Sequence, residues 1–158
     1  MPPRPARGIA VITCMDTRVD PAALLGLLPG DAHVIRNAGG VVTDDVLRSL
    51  ELSQTVLGTE RVVVIQHTDC ALPLRNQAEA TASVRAAVRG LRGAGVIPRR
   101  EHITGLVFDV ATGGLTDVED ETGTTATLFP GQRSQVRPST GIDVGRHILQ
   151  PKRDQKSQ

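Results

Sequence analysis

Cys14-Met15-Asp16-Thr17-Arg18 sets a thiol, a carboxylate and a guanidinium at alternate positions, and His67-Thr68-Asp69-Cys70 sets an imidazole three residues before a second thiol. In extended backbone, residues 14, 16 and 18 point to the same side, so Cys14 and Asp16 reach one centre while Arg18 sits beside Asp16. A turn across His67-x-x-Cys70 brings an imidazole and a thiolate onto one ion. Two thiolates, an imidazole and a carboxylate form a four-ligand set suited to tetrahedral zinc, with the carboxylate the ligand most easily exchanged for water. Taken singly, each residue has an ordinary explanation: a buried cysteine is a small hydrophobe, a histidine a hydrogen-bonded or surface residue, and Asp16 with Arg18 a plain ion pair. Together, both cysteines of the chain, one of its four histidines and an Asp/Arg pair favour a shared site. His33, His102 and His147 lack such neighbours and are read as structural. Gly39-Gly40 reads either as a plain tight turn or, equally, as one whose backbone N–H groups also line the same site.

Other chemistry fails on spacing. A phosphatase-type loop needs five residues between cysteine and arginine, whereas Cys70 to Arg75 leaves four and Cys14 to Arg18 leaves three. The chain has no C-x-x-C, G-x-G-x-x-G or P-loop. Two cysteines without an extracellular context read as ligands or spectators rather than a disulfide. A net charge of +1 gives no reason to expect nucleic acid or an anionic membrane as partner. The apolar run after the basic start MPPRPARG is too short for a signal-peptide core or a membrane span, which reads as a cytoplasmic protein.

The elements that position these residues alternate. Ile9, Val11 and Ile12 mark a first strand, and Asp20-Pro21 opens a helix through Leu28 with proline in its first turn. Ala32 to Arg36 reads as a second strand. Thr43 is an N-cap with Asp44 and Asp45 in the first turn, and Val46, Leu47, Leu50, Ser53 and Leu57 share one helical face. Arg61 to Gln66 is a β-branched run of the kind found in parallel sheets covered on both faces. A third helix is expected over Gln77 to Leu91 and a fourth strand over Ile103 to Val110. The predicted fold is α/β: an open, mostly parallel sheet of about four strands flanked by helices, with a poorly structured C-terminal tail. Sites in such sheets gather at the carboxyl ends of strands, where both clusters fall. The length of 158 residues suits one domain. With only Phe108 and Phe129 as aromatics, its core must be aliphatic. The predicted division is a zinc-binding α/β domain over 1–123 and a flexible extension over 124–158. In the extension periodicity fades, and six basic residues face two acidic ones, against twelve and fifteen before it.

Cys14-x-Asp16-x-Arg18, then Arg36-Asn37-Ala38-Gly39-Gly40, then His67-Thr68-Asp69-Cys70 resemble the β-class carbonic anhydrases, in particular their short bacterial members. The resemblance covers roughly residues 8 to 72, and Gly105 to Val110 is similar to the family's late strand. It implies that Cys14, His67 and Cys70 bind zinc and that Asp16 with Arg18 forms a dyad beside it. The implied reaction is the reversible hydration of carbon dioxide to bicarbonate by a zinc-bound hydroxide. Arg18 would keep Asp16 off the metal, and Asp16 would become the fourth ligand when that hold loosens, giving a closed form at lower pH and an open one at higher pH. The resemblance further implies a homodimer or higher homo-oligomer. Related readings are a carbonyl sulfide or carbon disulfide hydrolase, and a zinc-binding homologue with little activity. The chain departs from the family in several places: Ala71 stands where glycine is usual, the N-terminal helical arm has no counterpart, and the segment after Cys70 is short. Tyrosine and tryptophan, which accompany the Arg36 position where some members bind inhibitory bicarbonate, are missing.

Overall fold

The computed structural model describes residues 2–72 and 76–119; the expected extension over 124–158, the boundary at 123 and His147 lie outside the described residues. Among the described residues, five strands form one sheet: β1 (Ile9–Cys14), β2 (Ala32–Asn37), β3 (Arg61–His67), β4 (Ile103–Phe108) and β5 (Leu115–Val118), in the order β2-β1-β3-β4-β5. The first four run parallel, as expected, and β5 is antiparallel to β4. The mostly parallel sheet expected with about four strands is thus present, with β5 added at its edge. Leu115-Thr-Asp-Val is short and half-exposed, so its sequence carries no apolar run to announce it. β4 ends at Phe108 rather than Val110, because Asp109 turns the chain back, its N–H donating to the Gly114 carbonyl at 2.8 Å.

The alternation of strand side chains divides the core in two. Ala10, Ile12, Val62, Val64 and Val107 face the helices α2 (Asp44–Thr55) and α3 (Gln77–Gly93), meeting Val46, Leu50, Ala80, Val84, Val88 and Leu91. Ile9, Val11, Val63, Ile65, Leu106 and Phe108 face the other way, covered by Val19, Leu25 and Leu27. Every residue of β1 is buried, and at about 1.5–3 kcal/mol for each fully buried aliphatic side chain this strand and β3 anchor the fold. The approach of α3 to β4 is close enough that a Cβ on Gly105 would collide with Val84 Cγ1.

The helices begin where expected. Thr43 caps α2 by accepting from the Val46 N–H, and Asn76 and Glu79 form a reciprocal capping box on α3. The first helix is shorter than the sequence suggests: α1 spans Pro21–Leu25, opened by Asp20 accepting from the N–H groups of Ala22 and Ala23. Gly26, left-handed at φ 60°, ends it before Leu27. Among the described residues no helix is long and apolar enough to cross a membrane.

Register then assembles the site. Cys14 pairs with Asn37, Thr13 with Ile65, and His67 with Phe108. The carboxyl ends of all four parallel strands therefore lie side by side.

Candidate metal centre

Cys14 is the last residue of β1 and His67 the last of β3, while Cys70 follows through a tight turn. Asp69 adopts φ 53°, the only left-handed non-glycine residue among those described. One ligand atom from each of Cys14, His67 and Cys70 lies within 4.8 Å of the others, and all three residues are buried. Both thiols are free. Each sulfur accepts a backbone N–H, from Asp16 at 3.4 Å for Cys14 and from Leu72 for Cys70. Burial first, and the neighbouring Cys14 after it, push the Cys70 thiol up, with the Leu72 N–H opposing.

The imidazole settles the fit. His67 is fully buried, and its Nδ1 lies 2.9 Å from the Thr68 carbonyl. A carbonyl only accepts, so Nδ1 carries a proton, and in the neutral ring Nε2 is left with the lone pair. That Nε2 is buried and has no hydrogen-bond partner. A buried acceptor facing two sulfurs is costly when unmatched, and a soft divalent cation satisfies all three at once. The donor set therefore fits a thiolate- and imidazole-binding ion such as zinc.

Asp16 stands at the border of this group. Its Oδ2 is 3.9 Å from His67 Nε2, yet both its oxygens are taken by Arg18: Nη2 donates to Oδ2 at 2.8 Å, while Nε at 3.0 Å and the backbone N–H at 2.9 Å donate to Oδ1. The Arg18 hydrogen bonds hold the Asp16 carboxyl well below the usual carboxylate range. The expected pairing of Asp16 with Arg18 is thus present, and Asp16 sits beside the ligand group rather than within it. Arg18 is itself held from a second side, donating from Nη1 to Asp69 Oδ2 and from Nη2 to the Asp69 carbonyl, both at 2.8 Å. Asp69 was visible in the sequence only as a spacer between His67 and Cys70. Its part in fixing Arg18 had no signal beyond a carboxylate in the right turn.

The wall beneath the site is backbone. Arg36 donates from Nε to the Cys14 carbonyl at 3.0 Å and from Nη2 to the Asp16 carbonyl at 2.7 Å. Asn37 closes the glycine turn by bonding both backbone groups of Val41, and the buried Gln66 donates to the Gly40 carbonyl at 2.9 Å. A Cβ on Gly40 would stand 2.7 Å from Cys14 N, and one on Gly39 would collide with the Leu72 side chain. Gly39 and Gly40 are thereby brought to the site. The remaining described histidines are elsewhere: His33 bonds Ser53 Oγ and the Pro3 carbonyl, and His102 is exposed near Glu101.

Comparison with known proteins agrees with this geometry. The carbonic anhydrase family profile matches residues 9–92. β-Carbonic anhydrase 1 of Mycobacterium tuberculosis is 37% identical over 140 residues, spanning 75% of this chain and 86% of that protein. A carbon disulfide hydrolase of Saccharolobus solfataricus is 50% identical over 66 residues, 42% of this chain and 32% of that one. Among solved structures, the carbonic anhydrase of Streptococcus mutans superposes with a TM-score of 0.69 at 38% identity, over 75% of this chain and 85% of its own.

Proposed function

The chain belongs to the β-carbonic anhydrase family, and from that premise we propose that it catalyses the reversible hydration of carbon dioxide to bicarbonate at a zinc ion held by Cys14, His67 and Cys70. The observation that carries this is the grouping of His67, whose buried Nε2 has no partner, with two buried thiols whose ligand atoms lie within 4.8 Å, and with Asp16 beside it. Bound zinc supplies the Lewis acidity that makes water nucleophilic at neutral pH.

The chain's own residues do the rest. Arg18 keeps the Asp16 carboxylate ionised and turned to itself, so that it does not close the site. Asp16, still at the border of the centre, would orient the attacking water by accepting a hydrogen bond from it at Oδ2. If Arg18 loosened, Asp16 would be free to act as a fourth ligand, which would close the site at lower pH and leave it open at higher pH. Gly39 and Gly40 form the pocket wall, a role supported by their contacts with Leu72 and the β1 exit. Met15, Val41 and Leu72, apolar and exposed next to Cys14, Gly40 and Cys70, suit a linear apolar substrate and a second copy of the chain completing the pocket as a homodimer or larger homo-oligomer. Two free thiols fit a cytoplasmic location.

Stopped-flow carbon dioxide hydration, with metal analysis on the same sample, tests the proposal. Stoichiometric zinc and a hydration rate that both vanish in Cys70→Ser are expected; a wild-type protein without zinc overturns it. The 50% identity to a carbon disulfide hydrolase across 66 residues supports a second reading, hydrolysis of carbon disulfide or carbonyl sulfide by the same ligands. Sulfide release from carbon disulfide without carbon dioxide hydration would select it.

A further inference from the structure

The lone pair of His67 faces the sulfurs only because its other nitrogen is occupied, and the group that occupies it is the Thr68 carbonyl. What fixes that carbonyl is a set of hydrogen bonds reaching away from the centre. The Thr68 N–H donates to the Phe108 carbonyl at 3.0 Å, extending the β3–β4 ladder by one rung. Its hydroxyl donates to Asp109 Oδ1 at 3.2 Å and accepts the Val110 N–H at 3.1 Å. Asp109 is in turn immobilised by its own turn. Oδ1 accepts the Ala111 N–H and Oδ2 the Thr112 hydroxyl, each at 2.9 Å, while its carbonyl accepts the Gly113 N–H. These bonds hold the carboxyl below its ordinary value, the Ala111 N–H first and the Thr112 hydroxyl next. The carboxylate is thus a fixed acceptor at the exit of β4, joined to the exit of β3 through a single threonine.

We infer that Asp109 is a positioning residue of the metal centre: through the Thr68 hydroxyl it holds the carbonyl that sets the tautomer and orientation of His67. Partners that orient a metal-binding imidazole from outside the ligand set change metal affinity by roughly 10–100-fold when removed. Asp109 is one step farther out, acting on a peptide group instead of on the ring. This rests on the metal-centre reading above, and the experiment separates the two.

Zinc affinity is measured by competition with a chromophoric chelator. The His67 tautomer is read by long-range 15N–1H correlation in the metal-free protein, with melting temperature as the control for folding. Asp109→Ala and Thr68→Val are each expected to weaken zinc about 10-fold and to mix the two tautomers of His67. The double variant should be no weaker than the worse single one, because both act through one link. Asp109→Asn and Thr68→Ser, which keep the acceptor and the hydroxyl, should restore the Nδ1–H tautomer. Thr112→Ala, which removes the bond to Oδ2 and the one its hydroxyl accepts from the Gly114 N–H but leaves Oδ1 to Thr68, should lower the melting temperature while leaving His67 unchanged. A folded Asp109→Ala or Thr68→Val with wild-type zinc affinity and a pure Nδ1–H tautomer overturns the inference, as do additive losses in the double variant. If Asp109→Ala does not fold, Thr68→Val is judged on the same criteria. If the wild-type protein binds no zinc, the metal-centre reading fails, and the tautomer measurement still decides the role of Asp109.

Discussion

Replacing Gly40 with alanine should cost far more than its single methyl suggests. Gly40 sits at φ 58°, and a Cβ there would stand 2.7 Å from both Cys14 N and Thr13 C. These are backbone atoms of the first strand, locked on both sides by β2 and β3, and cannot rotate aside. The left-handed conformation alone costs an alanine about 1–2 kcal/mol. Relieving the overlap adds about 1–3 kcal/mol, the usual range for overpacking a tight interior, for a total of about 2–5 kcal/mol. Gly26 supplies the control: its φ is 60°, yet nothing lies within 4 Å of a Cβ there, so Gly26→Ala should lose only the conformational part. At about 4 °C per kcal/mol, Gly26→Ala should melt about 4–8 °C and Gly40→Ala about 8–20 °C below wild type. Differential scanning calorimetry on the two proteins side by side measures the difference. The turn can relax only by moving off β1, which shifts Cys14, so zinc affinity should fall in Gly40→Ala and stay unchanged in Gly26→Ala. Equal melting points for the two variants would refute the reasoning, since the contact with Cys14 would then carry no weight.

Asp16 offers a pH test. Its folded-state value lies below the unfolded one, so its contribution is complete above about pH 4 and declines as the pH falls toward the folded value. Arg18→Ala removes the shift, and urea midpoints between about pH 3 and pH 7 should then vary less than in wild type. Gly105→Ala, whose Cβ meets Val84 on the α3 side of β4, should lose about 1–3 kcal/mol of stability in chemical denaturation while binding zinc as before. Asp20→Ala removes both hydrogen bonds that open α1 and should cost about 1 kcal/mol, seen as a shift in denaturation midpoint without loss of the zinc site.

Much of this architecture was legible because its signals are local. Arg61 to Gln66 is apolar on both faces, so a doubly covered parallel strand follows directly, and Thr43 with Asp44 and Asp45 marks a helix start by chemistry alone. The ligand set was legible for a related reason: cysteine is rare in this chain, and its two copies fall one at each strand exit. What escaped depends on distant partners. β5 exists because β4 has a free edge, not because Leu115-Thr-Asp-Val favours extension by itself. The early end of α1 turned on Gly26, which in sequence lies unremarked inside a run of leucines. Asp69 and Arg36 act through backbone carbonyls and a guanidinium supplied from elsewhere in the fold, contacts that no spacing rule encodes.

The double hold on Arg18 changes how any substitution there must be interpreted. One planar cation ties the loop after β1 to the turn after β3, meeting Asp16 with one edge and Asp69 with another. It works as a keystone between two segments as well as the counter-charge of a carboxylate. An Arg18 variant that loses activity therefore confounds chemistry with alignment, because Cys70 is carried by the same turn that the guanidinium secures. Lysine at this position would keep the charge but not the fork, and it would bridge one segment at the expense of the other. Varying the Asp69 side chain helps separate the two contributions, since it leaves the pairing with Asp16 in place and removes the carboxylate contact while the Asp69 carbonyl still accepts from Nη2.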